Sequence, residues 1–515
     1  MKGPVRGRRV PVEELTLAAA TAVNVLVALT SAHFPYQDVV NHLTRYFLMD
    51  QVLSGRAVDW LQVRLVPTSY IGTDLLGVAL VHLLGVTATL RVMGVLPLLL
   101  LPAGMYCLLR VTAPSQRGWA LVGTLLSLSW YYLSGFLNYS IGLGLALAWL
   151  ALWWPRRASR SWSWQLGLTA GCIALLFIHL SAPLIVLVVV WVDTMLGFWN
   201  SWRGDQEARR SQPSRVLNTV LITAGVALAW AMIEVATASV RTAVPPAEFR
   251  GALPKLTHLV APFYSLSLLQ LTAMAGAYLF ALIAFALQNR REAWANAFLL
   301  SGLMFLLLYT ISPGVASAAG DVDTRWLPAA YLLPFCMPGR TRPSRTVLYA
   351  LFGLCLIHAG IVRWNAVGID AELTDLDHAL GQLPARTRVL PLISDQDRHG
   401  RVQPYLHYTL WHIIRKQGRV PGLFSASGAR PSQPAYPHFS HFRVLRRAYL
   451  PDGSWGVRSW EPLNCARIRQ DYDYVLEAGE DAAAKALILK CAPEVFRVGE
   501  ITVYRVPTAP NPGFR

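Results

Sequence analysis

The sequence predicts a polytopic α-helical membrane protein of about eleven spans that carries a small C-terminal extracytoplasmic α/β domain, and three observations support this. The 515 residues are 54% hydrophobic and only 15% charged, a balance that excludes an ordinary soluble enzyme. The Lys and Arg behind the formal net charge of +17 gather in short clusters between apolar runs. That is the distribution of cytoplasmic membrane turns. A nucleic-acid face would interleave basic and stacking aromatic residues in one patch, and none appears. After Trp364 charges of both signs, Pro and Gly increase, and no apolar run is long enough to span.

Basic Lys2, Arg6, Arg8 and Arg9 precede the first span, residues 15–34, which places the amino terminus in the cytoplasm. No small-residue cleavage site follows, so this span is expected to stay as an anchor. Two crossings between Tyr70 and Val111 would put Arg110 and Arg117 outside. Reading 72–84 as a short external helix, too short to cross at 1.5 Å per residue, and 91–111 as the second span restores the charge rule. Spans at 118–136, 139–154, 164–180 and 183–199 follow. Arg156, Arg157 and Arg160 mark one cytoplasmic turn, and Arg203, Arg209, Arg210 and Arg215 another. A span at 216–238 reaches an external loop, 240–262, whose prolines and mixed Arg241, Glu248, Arg250 and Lys255 exclude a membrane helix. The set closes with 264–287, 294–311, a short 326–337 and 347–362, with Arg290, Arg291, Arg340, Arg342 and Arg345 inside and 312–325 outside. The odd count puts the tail outside. The expected division is a membrane domain, 1–364, with external amphipathic helices at 38–55 and 72–84, and an α/β domain, 365–515. In the tail, 386–393, 472–476 and 500–506 read as strands and 403–417 as a helix.

The stretch 35–55, PYQDVVNHLTRYFLMDQVLSG, is too polar to remain in lipid. As a helix it sets Asp38, Asn41, His42 and Arg45 on one face and Val39, Leu43, Tyr46 and Phe47 on the other. One face suits chemistry and the other a membrane surface; a purely interfacial helix has the same pattern. The external side also collects Asp74, Asn138, His179, Lys255, His258, Asp321, Asp323 and Arg325. A carboxylate there can take a proton from an attacking hydroxyl, while Arg and Lys hold a phosphate or diphosphate leaving group by charge-assisted bonds. Singly, such residues read as loop turns and structural histidines; it is their convergence on one side that signifies. Inside the bilayer an ionisable group costs about 2.5 to 3.5 kcal/mol. Asp193 and Glu234 therefore need partners, and an interhelical hydrogen bond is expected for Asp193. Cys107, Cys172, Cys336 and Cys355 lie in apolar runs. Cys465 and Cys491 share the polar tail, where an oxidising compartment would allow a disulfide.

With these motifs in order, the sequence resembles the GT-C superfamily of membrane glycosyltransferases that use polyprenyl-phosphate-linked sugars, including the protein O-mannosyltransferase and aminoarabinose-transferase branch. The resemblance runs from Asp38 and His42-Leu43-Thr44-Arg45 through Leu53-Ser54-Gly55, Leu90-Arg91, Phe136-Leu137-Asn138-Tyr139 and Asp323-Thr324-Arg325 to Tyr472-Asp473-Tyr474-Val475-Leu476. It implies Asp38 as the general base that deprotonates an acceptor hydroxyl or amine, with inversion at the anomeric carbon. It also implies Arg325 and Lys255 on the lipid phosphate, and His42 and Arg45 orienting the site. The implied partners are a polyprenyl-phosphate-linked sugar, a glycan, lipid or protein acceptor, and membrane lipid, with no nucleic acid; the implied place is a bacterial inner membrane. The family pattern with a second acid beside the first is not matched, because Gln37 precedes Asp38. A divalent cation would need its second carboxylate from Asp74, Asp321 or Asp323.

Two alternatives come from other classes. A transporter or flippase would line a midplane path with Asp193, Glu234 and His179, though no repeat relates the two halves. A non-catalytic component of a surface-polysaccharide assembly system would keep the architecture without the chemistry.

Overall fold

The computed structural model describes residues 11–34, 36–56, 58, 61–63, 65–237, 247–290, 296–315, 320–393, 399–421, 423, 442–444, 465–479 and 482–507. Lys2, Arg6, Arg8, Arg9, Arg241 and Arg291, which contribute to the charge pattern above, fall outside them.

Helix α1 (Val12–Thr30) opens with Glu13 and Glu14 in its first turn, where the helix dipole favours acid. There follow α2 (Val39–Leu53), strand β1 (Leu61–Val63), α3 (Ile71–Leu84), α4 (Val86–Thr112), α5 (Ala120–Ser127), α6 (Trp130–Leu133), α7 (Leu137–Trp153), α8 (Trp162–Ile178), α9 (Ser181–Trp202), α10 (Gln206–Thr237), α11 (Ala252–His258), α12 (Leu268–Gln288), α13 (Ala297–Ile311), α14 (Leu327–Leu332) and α15 (Arg345–Gln382). Side chains at Ser267, Asn296 and Ser344 accept from first-turn N–H groups and so cap α12, α13 and α15. Helices α4 and α7 cross so closely that a Cβ on Gly144 would sit 2.6 Å from the Leu100 carbonyl carbon, a contact only glycine permits.

This is an integral membrane protein. Among the described residues seven helices, α1, α4, α7, α9, α10, α12 and α15, are long and apolar enough to cross a membrane, and α3, α8 and α13 are shorter apolar helices. Regular helices thus fall short of the eleven spans expected. Residues 118–136 are no single helix: a 3-10 turn ends at Trp119, and α5 breaks from α6 around Leu128. Residues 326–337 likewise divide into α14 between two 3-10 turns, with Pro328 and Pro334 unable to continue a helical ladder. Every residue of α5 and α6 is buried, so protein rather than lipid encloses this irregular backbone.

The boundary expected at 364/365 falls inside one continuous helix, because α15 runs on to Gln382 and packs against the tail sheet. That sheet comprises β2 (Val389–Ile393), β4 (Tyr474–Ala478), β5 (Glu494–Val498) and β6 (Ile501–Arg505) in the order β2-β4-β6-β5, with β2 and β4 parallel and the other pairs antiparallel. Between these strands lie α16 (Trp411–Lys416), β3 (Phe442–Val444), α17 (Cys465–Asp471) and α18 (Ala482–Cys491). One face of the sheet joins the main core through Leu476, Ile501 and Val503. The other makes a separate core of Leu390, Val475, Ile468, Ile488 and Tyr504, stapled by the Cys465–Cys491 disulfide. The helix expected at 403–417 is mostly turns before α16, and the largely exposed edge strand β5 carries no apolar alternation that would mark it in sequence.

Strand β1 pairs antiparallel with β3, so the loop after α2 is sewn to the tail. Helix α2 itself is not laid on a surface. Residues 39–46 are all buried, because α3 covers one side while α16 and the 3-10 turn Tyr408–Leu410 cover another. Over residues 39–46 neither an open polar face nor a lipid-facing one remains, because the tail takes the place expected for solvent.

Candidate active site

Asp38 is the N-cap of α2, yet its side chain makes no capping bond, which leaves both carboxylate oxygens for other work. It is 8% exposed. Two features fix it. Gln37 has a φ of +52°, a strained value for a residue with a Cβ, and its side chain accepts from Gln403 N–H at 3.2 Å. The Asp38 N–H donates to the Ser134 carbonyl at 3.2 Å, an approach that needs Gly135 next door: its φ is +78°, and a Cβ there would lie 2.7 Å from Val39 N.

The carboxylate's neighbour comes from the tail. His407 Nε2 lies 3.3 Å from Asp38 Oδ1, and its Nδ1 lies 3.2 Å from Asn41 Nδ2. The His407 ring is thus held between the Asp38 carboxylate and the Asn41 amide of the first turn of α2. Both Asn41 and His407 are buried.

One turn further along α2, Arg45 donates to Asp74 of α3, and its Nη1 lies 3.4 Å from His42 Nδ1. Neither member of the Arg45–Asp74 pair has any exposed side-chain surface. These residues clamp α2 to α3.

A second group gathers around Tyr70, the residue that opens α3. Its hydroxyl is 3.1 Å from His179 Nε2, and His179 Nδ1 is 2.7 Å from Ser181 Oγ. Burial raises the Tyr70 hydroxyl pKa, and the Arg325 guanidinium beside it opposes that shift. Arg325 lies 5.3 Å above the Phe136 ring and donates to the Gly320 carbonyl at 3.1 Å, while Tyr139 donates to the Arg325 carbonyl at 2.7 Å. Asn138 is 2% exposed, and neither atom of its side-chain amide has a hydrogen-bond partner among the described residues. An orphaned buried amide is uncommon and calls for a ligand or water.

A third group is closed on itself. Arg250 bridges Asp321 and Asp323 at 2.6 Å each. Lys255 lies 3.0 Å from Asp323 Oδ2 and donates to the carbonyls of Tyr309 and Ser312 at 2.6 Å, so its ammonium is fully engaged. Burial lowers the pKa of His258, with Arg250 and Arg401 pushing the same way. Residues 130–139 link the groups: Ser134 to Asp38, Phe136 to Arg325, Tyr131 to the Thr324 carbonyl, and Trp130 beneath the Arg401 guanidinium at 4.1 Å.

The structure thus brings Asp38 and Asn41 together, joins His42, Arg45 and Asp74 as a clamp, gathers His179 and Arg325 near Tyr70, leaves Asn138 buried with its amide unmatched, and ties Lys255, His258 and Asp323 into one network. Asp193 lies elsewhere, 3.2 Å from Arg215 and 3.7 Å from Arg157. His407 and Tyr70 are the residues that the sequence reading missed. The cluster of His407 with Tyr405 and Tyr408 was the available signal. For a divalent cation, Asp74, Asp321 and Asp323 all have cationic partners, and among the described residues no three His, Cys, Asp or Glu side chains converge.

No protein-family model matches the chain, and no curated protein does. Solved structures do. The crystal structure of ArnT from Cupriavidus metallidurans in the apo state superposes with a TM-score of 0.52 at 11% identity, covering 95% of this chain and 97% of that one. The same protein bound to undecaprenyl phosphate gives 0.52 at 13% identity, covering 97% and 99%. Identity this low speaks of architecture alone, and over nearly its whole length the chain has the fold of ArnT.

Proposed function

We propose that the chain is an inverting membrane glycosyltransferase that moves a sugar from a polyprenyl-phosphate donor to an acceptor on the external face of the membrane. The observation that carries this reading is Asp38: a carboxylate free of capping duty, held in a strained turn and backed by His407, in a fold whose solved example binds undecaprenyl phosphate. Asp38 takes the proton of the acceptor hydroxyl or amine as that atom bonds to the anomeric carbon. The bond from that carbon to the phosphate oxygen breaks, its electron pair leaves with the polyprenyl phosphate, and configuration inverts. Arg325, with Tyr70 beside it, suits the leaving phosphate, and the Asn138 amide suits a sugar hydroxyl. Lys255 is better suited to bracing the Asp323 loop than to holding phosphate. The Cys465–Cys491 disulfide fits an oxidising compartment, which supports a tail outside a bacterial inner membrane and an amino terminus within.

Proteoliposomes loaded with a polyprenyl-phosphate-linked sugar and given a membrane extract as acceptor are expected to accumulate free polyprenyl phosphate. Solute flux across the vesicle wall without that product would make the chain a transporter. Arg325→Met is expected to raise the donor KM about 10- to 100-fold, the loss of one charge-assisted contact; an unchanged KM removes Arg325 from the phosphate.

His407 is a positioning residue in this scheme. His407→Phe keeps an aromatic ring, though a larger one, and loses both nitrogens, so kcat is expected to fall about 10-fold with donor KM unmoved. His407→Gln, which retains an N–H, should recover part of the loss. A drop in stability without a kcat effect would assign the residue to folding alone.

A further inference from the structure

A cavity of about 550 Å³ lies between the C-terminal half of α2 and the tail, well apart from the residues assigned to transfer. From Asp38 to Gln51, which lines it, is about 20 Å along the helix at 1.5 Å per residue. Among the described residues, Arg56, Arg386, Arg388 and Arg419 line it against one carboxylate, Asp473. That carboxylate is committed: it accepts from the Arg388 backbone N–H at 2.8 Å, from Nη2 at 2.8 Å and from Nε at 3.2 Å. Arg56 donates to the neutral Gln51 amide at 2.9 Å. Among the described residues the lining therefore carries more positive charge than negative.

The rim is built rather than incidental. Arg386 N–H donates to the Lys416 carbonyl at 2.8 Å, Arg419 N–H to the Thr387 carbonyl at 3.0 Å, and Val389 N–H to the Arg419 carbonyl at 2.9 Å. This zip holds two left-handed non-glycine residues, Arg386 at a φ of +60° and Gln417 at +53°. Gln417 is the C-cap of α16, where a left-handed residue ends the helix. Guanidinium groups match oxyanions by paired N–H donors, while Gln51, Gln417 and the Phe47 ring offer amides and an apolar face of the kind that binds sugar hydroxyls and ring carbons. The volume lies within the usual range for small-ligand sites, about 300 to 1,000 Å³.

We infer that this cavity binds a saccharide bearing an oxyanion, carboxylate or phosphate, as a recognition site remote from the reacting carbon. That the saccharide belongs to the acceptor rests on the transferase reading; the binding itself does not.

The test is titration of the purified full chain in nanodiscs with glucose 1-phosphate, glucuronate, inorganic phosphate and glucose. At least one of the two charged sugars should bind with an affinity that falls as salt rises, and glucose should not bind. Arg56→Gln and Arg386→Gln, at exposed side chains, should each weaken that binding about 10-fold with the thermal midpoint unmoved. The stronger charged sugar identifies the oxyanion. Binding of inorganic phosphate as tight as that of the sugars overturns the saccharide assignment, and no binding, or binding indifferent to both substitutions, overturns the site. Asp38→Asn protein should bind as wild type. Binding without any glycosyl transfer would therefore sink the transferase reading and leave the cavity's role standing, and transfer without binding would do the reverse.

Discussion

Asp38→Asn is expected to lower glycosyl transfer about 10²- to 10⁴-fold, the range of a single general base, while expression, thermal midpoint and donor KM stay near wild type. The substitution is isosteric, so the asparagine carbonyl can keep the place of the native oxygen, 3.3 Å from His407 Nε2. The side chain caps no helix N–H, so α2 loses no stabilising bond. Only the capacity to take a proton goes. A negative charge at the N-terminus of α2 is also favoured by the helix dipole. Transfer by the variant at a near wild-type rate would remove Asp38 as the base, and with it the reading of this end of α2 as the reacting centre.

How much of this was legible follows from the range of each interaction. Helices α2 and α3 and strands β4 and β6 could be read because their apolar periods are local, and the resemblance to GT-C enzymes rested on the order of short motifs from Asp38 to Tyr472-Asp473-Tyr474-Val475-Leu476. The interruptions at α5, α6 and α14 were hidden, since an apolar run has the same composition whether lipid or protein encloses it. Lys255 looked like a cation awaiting phosphate. Its partners, Asp323 and two carbonyls beyond residue 308, lie far along the chain, and a loop sequence does not say which charge it will meet. His407 was hidden for the same reason: its contact with Asn41 spans 366 residues. The expected openness of α2 failed on one point of topology, because β1 pairing with β3 draws the tail over the helix.

Breaking the Arg45–Asp74 pair should give the largest loss of stability among single substitutions in the site. Both side chains have no exposed surface, so Arg45→Met strands a carboxylate and Asp74→Leu strands a guanidinium in a medium that solvates neither. Loss of one partner of a buried pair costs about 3 to 5 kcal/mol. Each single variant should therefore show a clearly lower thermal midpoint in detergent and reduced recovery as a monodisperse peak. The double variant, Arg45→Met with Asp74→Leu, should regain most of that loss, because two apolar side chains meeting in the same space leave no unpaired charge. The clamp also sets the angle of α2 on α3, reinforced where the Tyr46 ring packs on Gly77, and so ties the helix that starts at Asp38 to the helix that starts at Tyr70. Transfer by the double variant should then recover with its stability. If Arg45 instead touched substrate, the double variant would be stable yet still inactive, and the single Arg45→Met would raise a KM without moving the thermal midpoint.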